Sequence, residues 1–191
     1  MSNYRRVHCP GGCVFLTLVT HQRSPLFSDP ENVARLRMAI ATVKAERPFD
    51  ILGAVILPDH LHFVWQLSPS DSNYSARVGQ IKATFTKSLP SQNRPRISVS
   101  QSRHKHRESN VWQRCFWEHT VRSSAELERV LDYVHYNPVK HGLVDCPHQW
   151  PYSSFHRSIE RRDYVADWAC VCEGRSPKIP DFQSLHQLLG E

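Results

Sequence analysis

No run of this 191-residue chain approaches the roughly 20 apolar residues a helix needs to cross a bilayer. Nor does a secretory hydrophobic region follow Met1-Ser2-Asn3-Tyr4-Arg5-Arg6. Membrane functions are set aside on that ground, and the chain is expected in the cytoplasm. It also lacks a CxxC knuckle: Cys9, Cys13, Cys115, Cys146, Cys170 and Cys172 are scattered. Cytosolic thiols stay reduced, so the six read as packing residues. Cys9 with Cys13, or Cys170 with Cys172, would make a zinc site only alongside a second pair. There is no internal repeat and no sign of a second domain. One domain is expected over residues 1–168, followed by a tail over 169–191. Acids are the minority charge, 18 against 24 Lys and Arg, for a net +6. That balance favours an anionic partner, and nucleic acid is the commonest.

What is present centres on Leu57-Pro58-Asp59-His60-Leu61-His62-Phe63-Val64-Trp65-Gln66-Leu67. Read as a strand, its side chains alternate between faces. Leu61, Phe63, Trp65 and Leu67 form an apolar stripe that belongs against a core. His60, His62, Val64 and Gln66 share the other face. Two imidazoles at i and i+2 can hold one metal ion, although two solvated histidines on an exposed sheet face would give the same triplet.

Around this stretch the chain alternates between the two periodicities. Residues 13–20 are rich in β-branched and apolar side chains and read as a central first strand. Asp29 as N-cap and Pro30 at the first position start a helix buried through Val33, Leu36, Ile40 and Val43. Pro48 ends it, and residues 51–57 form a second strand. Asp71 or Ser72 caps a second helix with a Tyr74, Val78, Ile81, Phe85, Leu89 stripe. Arg77, Lys82 and Lys87 lie off that stripe, as a solvated basic face. Residues 90–109 form a flexible loop with Arg94, Arg96, Arg103, Lys105 and Arg107 and no acid between positions 94 and 107. It is either a mobile solvated loop or a clamp on a phosphate backbone. Residues 111–122 read as a fourth strand, with Trp112, Phe116 and Thr120 on one side. Ser123-Ser124-Ala125-Glu126 is a capping box opening a helix that buries Leu127, Val130, Leu131 and Val134. At about 100° per residue, Tyr133 falls about 110° from the middle of that stripe, with Asn137 above it. Tyr136 falls about 190° away, towards solvent. Asn137-Pro138 is expected to close the helix.

His60-Leu61-His62 on a strand, followed by a helix carrying Tyr133 and Asn137, resembles the single-tyrosine HUH transposases of insertion sequences. The closer likeness is to the REP-associated tyrosine transposases. It runs through Gly11-Gly12-Cys13-Val14-Phe15, the Leu57 to His62 stretch, and Val111-Trp112-Gln113-Arg114-Cys115-Phe116-Trp117-Glu118-His119. It continues through Asp132-Tyr133-Val134-His135-Tyr136-Asn137-Pro138-Val139-Lys140-His141-Gly142 and ends in Trp150-Pro151-Tyr152-Ser153-Ser154-Phe155-His156. The basic loop and the last twenty or so residues lie outside it. Cys13 stands where a threonine or another β-former is expected.

The resemblance implies an α+β fold: a ferredoxin-like antiparallel sheet with helices packed on one face and a metal site on the other. It implies that His60, His62 and Asn137 hold a divalent ion, Mg²⁺ or Mn²⁺, and that Tyr133 is the nucleophile. The implied product is a 5′-phosphotyrosine with a free 3′-OH, formed on single-stranded DNA beside palindromic hairpins by a monomer at the bacterial nucleoid. A cation near the tyrosine, Lys140 or Arg114, would assist its attack. Arg5, Arg6, Arg77, Lys82, Arg103, Lys105, Arg107, Arg114 and Lys140 are the candidate DNA contacts. Glu118 is a candidate support for the metal, and His119, His135, His141 and His156 read as network or surface histidines. Two rival functions use the same residues. One is a basic sheet module that binds nucleic acid without cutting it; the other is a metal-dependent hydrolase with a water nucleophile.

Overall fold

The β-branched and apolar residues after Gly12 build the strand on which the rest is laid. The computed structural model describes residues 9–90 and 110–172, together with Pro177 and Phe182. Its elements are β1 (Cys13–Val19), α1 (Pro30–Glu46), β2 (Phe49–Ile56), β3 (His60–Leu67), α2 (Tyr74–Ser88), β4 (Trp117–Val121), α3 (Ser124–Lys140) and α4 (Phe155–Glu160). The sheet runs β2-β3-β1-β4 with every neighbouring pair antiparallel. This is the expected α+β, ferredoxin-like arrangement, and it puts the histidine strand beside β1 at the centre.

One face of the sheet carries Leu61, Phe63, Trp65 and Leu67, the stripe read from the sequence. They share a core with Val33, Leu36, Ile40 and Val43 of α1 and Val78, Ile81 and Phe85 of α2. Burying each such side chain is worth about 1.5–3 kcal/mol, so this layer supplies much of the driving force. The expectation of helices on one face holds for α1 and α2. The tyrosine helix α3 instead covers the opposite face, where Val130, Tyr133 and Val134 pack on Phe15, Val55, Leu57 and Val64. An apolar helix stripe needs an apolar partner, and the residues beside the histidines on that face provide it. Gly53 makes the approach close, because a Cβ there would meet Leu131 Cδ2 at 2.5 Å.

Several local expectations are corrected. The fourth strand is shorter than residues 111–122 and spans only Trp117–Val121. Val111 and Trp112, neighbours in sequence, both enter the α1/α2 core, and Phe116 packs against it, which a regularly alternating strand cannot do. Neither Asp71 nor Ser72 caps α2. Asn73 does, accepting from the Ala76 N–H at 3.0 Å. Asn137-Pro138 does not close α3, which continues to Lys140 with Pro138 inside it. Gly142, at φ +65°, ends it. Its N–H reaches Val139 O at 2.9 Å and that of Leu143 reaches Pro138 O at 3.0 Å, a Schellman closure. Proline this near a helix end forfeits one backbone bond and leaves the remaining turn intact.

β2 would be an open edge, but residues 152–154 run along it. Ile56 N–H donates to Tyr152 O at 2.9 Å, and Ser154 N–H to Ala54 O at 2.8 Å. Arg157 donates to Ile51 O at 2.7 Å at the bulge in β2. The cysteines are not uniformly scattered packing residues. Cys146 and Cys170 are joined as a disulfide with Cys172 beside them, because the fold brings together segments that the sequence separates. No helix among the described residues is long and apolar enough to cross a membrane.

Candidate active site

β3 lies between β1 and β2, so His62 sits opposite Thr17 on one side and Val55 on the other. His60 is opposite Val19 at the strand's start. Both imidazoles are buried, at 2% and 0% exposure, which removes the solvated-histidine reading. Their rings stand 5.0 Å apart. Each is held through Nδ1: His62 lies 2.9 Å from Thr17 Oγ1, and His60 lies 2.6 Å from Asp59 Oδ1. Holding Nδ1 selects Nε2 as the nitrogen presented to a ligand. Asp59 is anchored in turn by Arg23, 3.1 Å away. Burial works against the Asp59 charge, but the bonds from His60 and Arg23 outweigh it and keep the carboxyl below its ordinary range.

The helix α3 lays three successive turns along these histidines. The Tyr133 ring is 5.6 Å from that of His62, and the His141 ring is 5.1 Å from that of His60. Asn137 stands between them on the same helix face, because residues four apart superpose. It is fully buried, and among the described residues neither atom of its amide has a hydrogen-bond partner. An orphaned buried amide costs about 1–3 kcal/mol. Two imidazole nitrogens and a buried amide oxygen are an apt donor set for a divalent cation, so the residues fit the ion that the sequence resemblance implies.

Tyr133 is 1% exposed. Lys140, two turns on, donates to its hydroxyl oxygen at 3.2 Å and lies 4.9 Å from the ring centre. Phe182 packs edge-on to Tyr133 at 5.6 Å and stacks on Tyr136 at 5.6 Å. Tyr136 is therefore half-buried under Phe182 and not turned to solvent, and burial pushes its hydroxyl pKa up.

Tyr133, His60, His62, Asn137 and Lys140 are thus brought together. Other candidates are not. Arg77 is 2% exposed and bonded to Asp71, Asn73 O, Arg47 O and Pro48 O, so it fastens α2 to the end of α1 and cannot meet DNA. Its long stem reaches inward from a position off the apolar stripe. Lys82 donates to Gln113 O at 2.8 Å over the Trp112 and Phe116 rings, on the side away from the histidines. Glu118 pairs with Leu16, whose face is that of α1 and α2, so it does not support the histidines. Arg114 is exposed just before β4. Arg5, Arg6, Arg103, Lys105, Arg107 and nearly all of the basic loop lie outside the described residues. The sequence did not point to Thr17, Asp59 or Phe182 as site residues, and His141, read as a network or surface histidine, stands against His60. Asp59 had a signal in its adjacency to His60. Thr17 had none, since only the β1–β3 register brings it to His62.

Residues 13–137 match the protein family described as transposase, IS200-like. The chain belongs to that family. The match opens in β1, whose Thr17 braces His62 of β3, and closes on Asn137. A REP-associated tyrosine transposase of Haemophilus influenzae is 42% identical over 168 residues, covering 88% of this chain and 93% of the relative. One from Escherichia coli K12 is 38% identical over 170 residues, covering 88% and 92%. A solved structure of a REP-associated tyrosine transposase bound to a REP hairpin superposes with a TM-score of 0.72 at 35% identity, covering 95% of this chain and 98% of that one. The IS200-like chain is a tyrosine transposase of the REP-associated group, enzymes that cleave and transfer DNA.

Proposed function

We propose that the chain cuts and rejoins single-stranded DNA beside palindromic hairpins, with Tyr133 as nucleophile. The observation that carries this reading is the alignment of buried Tyr133 and Asn137, and of half-buried Lys140, on α3 with buried His60 and His62 on β3. The hairpin partner is supported by the related structure, which holds one.

Tyr133 Oη attacks the scissile phosphorus, forming a phosphotyrosine and releasing the 3′ oxygen as a hydroxyl. As the bond from Tyr133 Oη to phosphorus forms and the P–O3′ bond breaks, the phenol proton passes to water and the departing 3′ oxygen takes one up from water. Lys140, a positive donor already on that oxygen, stabilises the negative charge it carries during attack. The covalent link keeps the phosphodiester energy, so the reverse attack by a 3′-OH rejoins the strand without ATP. His60, His62 and Asn137 would hold the divalent ion, with Thr17 and Asp59 fixing both imidazoles; two nitrogen ligands suit Mn²⁺ better than Mg²⁺. Such an ion supplies positive charge for a non-bridging phosphate oxygen. The protein acts as a monomer in the cytoplasm, with exposed Arg114 along the DNA path.

The test is a denaturing gel of the chain incubated with hairpin-flanked single-stranded DNA and Mn²⁺. A covalent protein–DNA band together with a shortened strand is expected. Tight binding with neither product would leave the non-cutting module, and cleavage without an adduct would favour a water nucleophile.

A further inference from the structure

Outside the active site, three sulfur atoms converge where the sequence shows only scattered cysteines. Cys172 Sγ lies 2.8 Å from Cys170 Sγ and 3.3 Å from Cys146 Sγ, and Cys146 and Cys170 are joined to each other. Cys146 and Cys170 are buried and Cys172 is half-buried. The cluster is built by backbone as well as by side chains. Val171 N–H donates to Asp145 O at 2.9 Å, laying the Cys170-Val171-Cys172 turn against the residue before Cys146. The Cys170 N–H is tied to Asp167 O at 3.2 Å, and Gln149 Oε1 accepts from Cys146 N–H at 3.2 Å.

We propose that, with its thiols reduced, this cluster is a structural zinc site, Cys146, Cys170 and Cys172 being three thiolate ligands. A disulfide uses two sulfurs and gives the third no role, whereas a tetrahedral thiophilic ion uses all three. Among the described residues no fourth His, Cys, Asp or Glu joins them, which leaves the fourth position to a water or to a donor elsewhere in the chain. Zinc at about 2.3 Å from each sulfur would hold them about 3.8 Å apart, so the ion enters by spreading the thiols and displacing their protons. Soft sulfur separates this site from the nitrogen and oxygen donors around His60, which serve a harder ion. Its place in the fold gives the ion a purpose. Cys146 follows the end of the tyrosine helix, and the chain leaving Cys172 leads to Phe182 over Tyr133 and Tyr136. Zinc would pin the segment at Cys172 near the end of the helix whose Tyr133 packs against Phe182.

The full chain is prepared under a phosphine reductant and desalted, and its metal content is measured by mass spectrometry. About one zinc per chain is expected, retained in a His60→Ala/His62→Ala double variant and lost in Cys172→Ser. Cobalt(II) reconstitution adds a readout independent of activity: intense near-ultraviolet sulfur-to-cobalt bands in the wild type and the histidine variant, absent in Cys172→Ser. A soluble Cys172→Ser chain that keeps both the zinc and the bands would overturn the proposal. So would zinc lost with the histidines and kept without the cysteine. Wild-type protein that takes up no metal while all its thiols titrate as free would reduce the cluster to packing. If instead the cluster is a redox disulfide, the untreated chain will show two fewer titratable thiols and bind no zinc after reduction. Should Cys172→Ser fail to fold, Cys146→Ala and Cys170→Ala provide the same comparison.

Discussion

At the scale of single residues, two tyrosines three positions apart have different surroundings. Tyr133 faces His62 and takes a hydrogen bond from Lys140; Tyr136 lies under Phe182 without either contact. Tyr133→Phe removes one oxygen and almost no packing. It is expected to abolish the covalent adduct while hairpin affinity stays within a few-fold. Tyr136→Phe should keep the adduct, and a gel showing the reverse would mean that the nucleophile has been misassigned. Among the proposed metal ligands, Asn137 is the weakest donor. Asn137→Ala should raise the Mn²⁺ concentration needed for cleavage and be rescued by more of it. His60→Ala and His62→Ala should stop cleavage at any concentration, as should EDTA with the wild type. Full activity in EDTA would remove the ion from the mechanism.

At the scale of elements, the start of α3 is held by a closed set of hydrogen bonds. Ser123 Oγ accepts from the Glu126 N–H at 3.1 Å, and Glu126 accepts from the Arg122 N–H at 2.6 Å and pairs with His119 at 2.8 Å. Burial raises the Glu126 pKa, but these partners outweigh it and lower the carboxyl overall. The unfolded chain therefore binds this proton more readily than the folded one. The group's contribution is fully present above pH about 4.5 and is lost as pH falls through the lowered folded value. Glu126→Gln should cost about 1 kcal/mol at neutral pH, as capping losses do, and flatten the acid limb of a stability profile. Chemical denaturation at pH 7 and at pH 4 checks both; equal losses at the two values would make the carboxylate charge irrelevant. Arg77 joins α2 to the end of α1 and makes a different prediction. Arg77→Ala should lower stability by roughly 2–4 kcal/mol through a lost buried cation network. Its effect on the salt dependence of DNA binding should be nil.

For the whole molecule, the net +6 charge asks which cations meet DNA. Arg77 and Lys82 are engaged within the protein, so the charge left for phosphate lies elsewhere. Replacing Arg103, Lys105 and Arg107 with Ala should flatten the slope of log affinity against log salt by roughly two units at most, at about 0.7 per single-strand phosphate contact. Binding to unrelated hairpins should weaken equally, because phosphate contacts carry no sequence. Cleavage at saturating DNA should persist. An unchanged slope would make the loop a solvated bystander.

What the amino-acid order determined by itself is local and periodic. Alternation along residues 57–67 fixed which face of β3 meets the core, and the 3.6-residue spacing fixed the buried stripes of α1 and α2. Asp29 and the Ser123 box marked two helix starts, and the family likeness picked out His60, His62, Tyr133 and Asn137 as the residues to look for. What needed tertiary structure was every partner distant in sequence. The antiparallel register alone brings Thr17 to His62, 45 residues away. It also turns Glu118 from the site, since paired strand residues share a face. Burial of Arg77 depended on backbone carbonyls at the end of α1, which no periodicity reveals. The length of α3 past Pro138 depended on Gly142 closing it, and on that last turn rest Lys140 and its contact with Tyr133. Cys146 is 24 residues from Cys170. Sequence spacing sees residues on one element, whereas a site made between elements exists only after their faces have been packed together.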